Sequence, residues 1–179
     1  MTVPHKHKIV LPANLLHIRP GELPPALLVD VKPFGKLHPI AADAWHAWRE
    51  HAFANGIKTF KPTSPNDCYR SISIQMQAWN ARMTTVPQAG QKPKLFDGKN
   101  WYLKPGNAPI AQPGKSHHNL GISVDVSEAS GERYQFMAAT AQQFGWTWEL
   151  DSERWHVNYY TGDKVPALVQ QWKQAKSLQ

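Results

Sequence analysis

Apolar residues recur along this chain with two different periods, and the period decides the element. In AADAWHAWREHAFAN, Ala41, Ala44, Trp45, Trp48, Ala52 and Phe53 repeat at the three-to-four spacing of one helix face, and Asn55-Gly56 supplies a stop, so a helix is predicted over 41–55. Residues 71–83 (SISIQMQAWNARM) carry a second helical stripe, either Ile72, Met76 and Trp79 or Ile74, Ala78 and Ala81, with Tyr69 and Arg70 at its entrance. Two further helices are predicted over 134–144, ended by Gly145, and over 165–176. Residues 122–127 alternate instead. Ile122, Val124 and Val126 face one way and Ser123, Asp125 and Ser127 the other, which predicts a half-buried strand with Asp125 pointing away from the apolar face. Strands are also predicted over 146–150 and 155–160, the latter with His156 opposite Trp155 and Val157.

Two stretches follow neither period. Residues 1–40 contain seven prolines, a density that breaks helices and central strands alike, and they read as an extended arm packed on the domain formed by residues 41–179. Residues 84–115 hold five prolines and four glycines, with one hairpin predicted where Asp97-Gly98 turns between Lys94-Leu95-Phe96 and Trp101-Tyr102-Leu103. This long segment is expected to wall a cleft and shape substrate choice.

Composition narrows the class. The 179 residues suit one domain, and 41% hydrophobic against 18% charged residues excludes a mainly disordered chain. No apolar run is long enough to cross a membrane, and the first ten residues, with Lys6, His7 and Lys8, lack the apolar stretch of an export signal. Neither a membrane span nor a signal peptide is expected. Cys68 is the single cysteine, so any metal must be held by histidine and carboxylate rather than by several thiolates. The net charge of +7 favours polyanionic surroundings such as nucleic acid, anionic membranes or acidic wall polymers. The basic residues read as spread along the chain, and no nucleic-acid motif accompanies them.

The candidate chemistry lies in PGKSHHNLGISVD (113–125) and in Glu153-Arg154-Trp155-His156. A loop histidine, a strand aspartate and a second strand histidine preceded three residues earlier by glutamate supply an open three-ligand zinc site with a general base. Such a site needs ligands at about 2.0–2.2 Å and leaves a fourth position for a water whose pKa falls to about 7. Glu153 would accept that water's proton. Taken singly, each residue has a plainer reading: a hydrogen-bonded core histidine, a capping aspartate, a solvated turn glutamate. The combination is what points to a metal.

Ser116-x-His118-x-x-Gly121-x-Ser123-x-Asp125 resembles the Ser-x-His-x-x-Gly-x-Ala-x-Asp motif of the D-alanyl-D-alanine carboxypeptidase and L-alanyl-D-glutamate endopeptidase family of zinc peptidases (VanY-like), which includes vancomycin-resistance carboxypeptidases and many phage endolysins. Glu153-Arg154-Trp155-His156 resembles the family's Glu-x-Trp-His, and Tyr69-Arg70-Ser71 with Gln75 is similar to its Gly-Tyr-Arg-Ser segment and downstream Gln. The three motifs occur in family order. The resemblance implies an α+β fold, a small antiparallel sheet with helices packed on one side, shared with Hedgehog signalling domains. It implies one catalytic Zn2+ on His118, Asp125 and His156, with Glu153 as base and Arg70 polarising the scissile carbonyl. His118 rather than His117 keeps the motif spacing, which leaves His117 to line the cleft. Ser116, Gln75, Tyr69 and Trp155 are expected to bind substrate or support the ligands. Two positions depart from the pattern: Cys68 for the usual Gly, read as a small buried filler with oxidation or stray metal binding as the alternative, and Ser123 for the usual Ala.

The activity so implied is hydrolysis of a peptide bond in the bacterial peptidoglycan stem peptide by a monomer. An endolysin-type L-alanyl-D-glutamate endopeptidase is favoured, made in the host cytoplasm and reaching the wall through a holin-type pore or as a virion component. A D-alanyl-D-alanine carboxypeptidase is the alternative. A zinc-containing wall-binding module is the non-enzyme reading, against which Glu153 and Arg70 argue, and a nucleic-acid binder is a distant third.

Overall fold

Helix α1 (Pro39–Ala54) opens on a proline at its first turn, where the missing N–H has no helical partner to lose. It buries a wide stripe, Ala41, Ala42, Ala44, Trp45, Ala47, Trp48 and Ala52, so it is the centre of the core rather than a surface helix. The computed structural model describes residues 3–4 and 6–178; the extreme ends of the predicted arm and domain, residues 1, 2 and 179, and His5 lie outside the described residues. Against α1 pack Phe60, stacked on Trp45 at 5.2 Å between ring centroids, and Trp146, stacked on Trp48 at 6.0 Å. Helix α4 (Ala167–Ser177) covers another side of α1.

The arm is not merely extended. It contains two short 3-10 turns and a two-residue pairing of β1 (Val29–Asp30) with β2 (Lys36–Leu37), and it buries Leu15, Leu23, Val31 and Leu37 in the main core. Helix α2 (Ile72–Arg82) is capped by Ser71, whose hydroxyl accepts the Ile74 N–H, and buries only Gln75 and Trp79, one turn apart. Strands β3 (Met83–Thr84), β4 (Lys94–Phe96) and β5 (Lys99–Leu103) follow as an antiparallel sheet in the order β3-β5-β4. Asp97 and Gly98 both take positive φ, the two-residue hairpin turn that Asp-Gly favours. This sheet packs on its own small cluster of Trp79, Met83 and Ile110.

Strands β6 (Ser123–Asp125), β7 (Trp146–Trp148) and β8 (His156–Tyr159) form the sheet that carries the candidate ligands, in the order β6-β8-β7. All three are shorter than the alternation predicts. The described residues thus hold three small antiparallel sheets, not one. β6 also departs from the half-buried expectation: Ser123 and Asn158, cross-strand partners on the supposed polar face, are both fully buried. The Ser123 hydroxyl donates to the Asn158 amide oxygen, which offsets part of the cost of that burial, while Asn158 Nδ2 is buried without a partner among the described residues. The outer edge of β6 is paired by the segment before α2, through Thr63 N–H to the Asp125 carbonyl and Ser127 N–H to the Lys61 carbonyl, a contact no local pattern announces. Between β6 and β7, helix α3 (Gly131–Thr140) starts three residues before the predicted helix, and its predicted last turn tightens to 3-10.

Candidate active site

Asp125 and His156 are direct cross-strand partners in the β6–β8 ladder, so the pleat puts both side chains on one face. His118 reaches them from a 3-10 turn over His117–Leu120. Gly121 ends that turn at φ 66°, and a Cβ there would lie 2.9 Å from the His38 backbone nitrogen, so glycine alone lets the chain re-enter β6 so soon.

The His118 Nδ1–H donates to the Cys68 carbonyl at 2.8 Å; because a carbonyl only accepts, this fixes Nε2 as the lone-pair nitrogen. Nε2 lies 3.3 Å from Asp125 Oδ2, and His156 Nδ1 lies 2.7 Å from Asp125 Oδ1. The three donor atoms are within 4.8 Å of one another. Tetrahedral bonds of about 2.0–2.1 Å would set donors about 3.4 Å apart, so two imidazoles and one carboxylate at these separations fit a zinc-type centre. The ionisation states of His118 and Asp125 lean the same way, while that of His156 leans toward the charged ring, whose proton a metal would displace. Burial pushes His118 down toward the neutral ring. Burial alone would raise the Asp125 carboxyl, but hydrogen bonds and charge from His118 and His156 outweigh it and hold the carboxyl far below its usual range. Burial likewise opposes protonation of His156, and Asp125 outweighs it and raises that histidine.

Arg70 is locked from several directions. Its Nη1 donates to Gln75 Oε1 at 3.1 Å, its Nε to the Asn66 carbonyl at 3.1 Å and its Nη2 to Asp67 Oδ1 at 3.4 Å, while Nη2 stands 4.0 Å from Asp125 Oδ2. Its backbone is tied to the ligand turn, donating to the His118 carbonyl at 3.0 Å and accepting from Asn119 Nδ2 at 2.7 Å. Glu153 is half-buried in the turn before β8, and its carboxylate is near enough to favour the charged form of His156.

The remaining residues singled out from sequence divide. Gln75 is fully buried, holds Arg70 with one end and donates to the Ala111 carbonyl at 2.8 Å with the other, so it supports rather than lines the cleft. The Tyr69 hydroxyl accepts from the Leu23 N–H, tying the arm to the domain. Trp155 is exposed and lines an open cleft of about 400 Å³ with Thr63, Asp67, Asp125 and Glu128. His117 turns away from the ligand cluster toward Glu149, 3.2 Å off, in a second cleft of about 370 Å³ walled by Lys6, Lys8 and Ile9. Ser116 is half-buried and gives its carbonyl to the Asn119 N–H. Cys68 is fully buried with its thiol pushed far up by burial, which keeps it protonated and unreactive; the filler reading holds. Asp67, Asn119 and the Cys68 carbonyl were not foreseen, since backbone acceptors and partners of an arginine leave no pattern in sequence.

Similarity to known proteins follows the same lines. The family described as VanY: D-alanyl-D-alanine carboxypeptidase matches residues 35–163. No curated protein matches. Among solved structures, VanYB in complex with D-alanine-D-alanine is similar at a TM-score of 0.53 and 17% identity, over 83% of each chain. A vancomycin-resistance D,D-pentapeptidase VanY mutant in complex with Zn(II) is similar at 0.51 and 18%, over 83% of this chain and 84% of that one. The D,D-dipeptidase VanXYg in complex with a D-Ala-D-Ala phosphinate analogue is similar at 0.51 and 17%, over 94% of this chain and 66% of that one. These likenesses establish the shared α+β fold. Because the matched segment runs from ahead of α1 to just past β8 and takes in every candidate ligand, the chain belongs to the VanY D-alanyl-D-alanine carboxypeptidase family and is a metallopeptidase of peptidoglycan peptides.

Proposed function

We propose that this protein cleaves an internal bond of the peptidoglycan stem peptide, between L-Ala and D-Glu, in the manner of an endolysin, with His118, Asp125 and His156 holding one Zn2+. The observation that carries the peptidase reading is the convergence of a three-donor cluster with a fixed Arg70 beside it and Glu153 in the turn that leads into His156. Zinc bound there supplies a Lewis acid and lowers the pKa of a water molecule. Glu153 takes the proton of the attacking water and returns it to the leaving amine. Arg70, a permanently charged planar donor held in place by Gln75, Asp67 and the Asn66 carbonyl, donates to the carbonyl oxygen as negative charge builds on it.

The internal-bond reading is supported by the open cleft of about 400 Å³ that borders Asp125 and Trp155, which leaves room for peptide beyond the cut bond. Removal of terminal D-Ala is the second reading, favoured by the family's description and by the D-Ala-D-Ala bound to VanYB. Mass spectrometry of fragments released from purified peptidoglycan, with chelator and with zinc restored, separates them. New L-Ala carboxyl and D-Glu amino ends that vanish with chelator are expected; free D-Ala instead establishes the carboxypeptidase. Glu153→Gln should lower turnover by about 10²–10⁴-fold, with zinc content unchanged.

A further inference from the structure

We infer that Asn119 is a positioning residue: it sets where Arg70 stands relative to His118, and so where a substrate carbonyl is gripped relative to the metal. The inference rests on the roles that the preceding reading gives His118 and Arg70.

The side-chain partners of Arg70 do not set that distance. Asn66, Asp67 and Gln75 belong to the same segment as Arg70, so they fix the guanidinium against its own surroundings. Upstream, the Thr63 N–H anchors the segment to the Asp125 carbonyl of β6. At Arg70 itself the tie runs to the turn that presents His118. The Cys68 carbonyl accepts from His118 Nδ1 at 2.8 Å, the Arg70 N–H donates to the His118 carbonyl at 3.0 Å, and the Arg70 carbonyl accepts from Asn119 Nδ2 at 2.7 Å. Both backbone groups of Arg70 are thus taken by the ligand turn, with a side-chain amide standing in for the backbone donor of a strand ladder. Of the three bonds, the one from Asn119 can be removed without touching a proposed ligand or the main chain.

Asn119 is wholly buried, and its Oδ1 has no partner among the described residues. An apolar side chain would fill the space with no polar atom to bury, so packing alone does not account for an amide here. Its main chain grips the same segment from a second side. The Asn119 carbonyl accepts from the Gly21 N–H at 2.6 Å, and the Gly21 carbonyl accepts from the N–H of Ile72, the first residue of α2, at 2.9 Å. A Cβ on Gly21, at φ 88°, would lie 2.6 Å from the Ile72 nitrogen, so glycine is what lets the arm lie between the ligand turn and α2.

The test is a double-mutant cycle on the full chain loaded with zinc: the parent, Asn119→Ala, Arg70→Ala and the double variant, assayed on a soluble stem peptide. Asn119→Ala alone should lower kcat about 10–100-fold, the effect of a reacting group displaced by up to about 1 Å, with KM little changed. In the Arg70→Ala background it should lower kcat no further, because the group it positions is gone. Zinc content, and the visible spectrum of the cobalt(II)-loaded protein, should match the parent's. Equal fold losses in the two backgrounds, loss of zinc, or an unchanged kcat overturns the inference and leaves Asn119 a structural amide. Gly21→Ala, which disturbs the same tie from the arm, goes through the same cycle and keeps the inference testable if Asn119→Ala does not fold. Affinity for phosphinate analogues of L-Ala-D-Glu and of D-Ala-D-Ala, whose tetrahedral oxyanion must reach both the metal and Arg70, should follow the pattern of kcat without turnover. A parent that binds a phosphinate but leaves the stem peptide intact overturns the activity reading alone; one that binds neither overturns both.

Discussion

At the scale of single residues the site rests on a division between side chains that face the cleft and side chains that hold them. His118 is fixed by a carbonyl on its far nitrogen, so His118→Ala should abolish stoichiometric zinc while His117→Ala, whose ring faces Glu149, should retain it; metal analysis of the two purified variants decides between them. Gln75 makes the holding role measurable. Its amide is wholly buried and spans Arg70 and the Ala111 carbonyl, so Gln75→Ala leaves a guanidinium nitrogen and a carbonyl without partners, at a cost of about 1–3 kcal/mol. Turnover should fall with zinc content unchanged, and by less than in Arg70→Ala, because Asp67 and the Asn66 carbonyl still hold the guanidinium. That His118, Asp125 and His156 come together was legible in the sequence because their spacing survives as a motif. Asp67 was not, because its link to Arg70 is a side-chain contact three residues away that any surface Asp-Arg pair could mimic.

At the scale of elements, the long helical stripes were read correctly, the two-period strand at β6 was not half-buried, and the aperiodic arm was underestimated. α1 and α2 fall within two residues of prediction because their stripes are long, and the Asp97-Gly98 hairpin because its turn chemistry is local. The arm's prolines exclude regular elements without showing where the chain goes. It runs along the catalytic sheet: the Val3 N–H donates to Asp151 Oδ1 at 3.0 Å, Lys6 Nζ to Asp151 Oδ2 at 2.6 Å, and the Val10 N–H to the Tyr160 carbonyl at 3.0 Å. Asp151 lies two residues before Glu153 in the same turn. The arm therefore acts as a strap on the turn that presents Glu153, the proposed base. Asp151→Ala removes both of its contacts there and should lower kcat several-fold, with KM and zinc content held and the thermal midpoint little moved, because the ion pair is solvent-exposed and worth little to stability. Steady-state kinetics on a soluble stem peptide check this, and an unchanged kcat would show that the turn holds Glu153 without the strap.

At the scale of the whole molecule, the described residues form two cores of unequal size. Trp48 sits in the larger one among Trp45, Phe60 and Trp146, with its Nε1 donating to Thr140 Oγ1 at 2.8 Å. Trp48→Ala should cost about 3–5 kcal/mol and lower the thermal midpoint by roughly 10 °C or more. Trp79 sits in the smaller core with Met83 and Ile110, under a sheet whose outer face is in solvent. A cluster that small opens on its own before the whole chain unfolds. Trp79→Ala should thus speed amide exchange across β3, β4 and β5 while β6, β7 and β8 keep their protection. α2 carries both Trp79 and Gln75, so loosening it also frees Arg70, and turnover should fall although none of the proposed zinc ligands has moved. Loss of protection in both sheets together would instead make the hairpin unit part of one cooperative fold, and Trp79→Ala would then lower the thermal midpoint as steeply as Trp48→Ala.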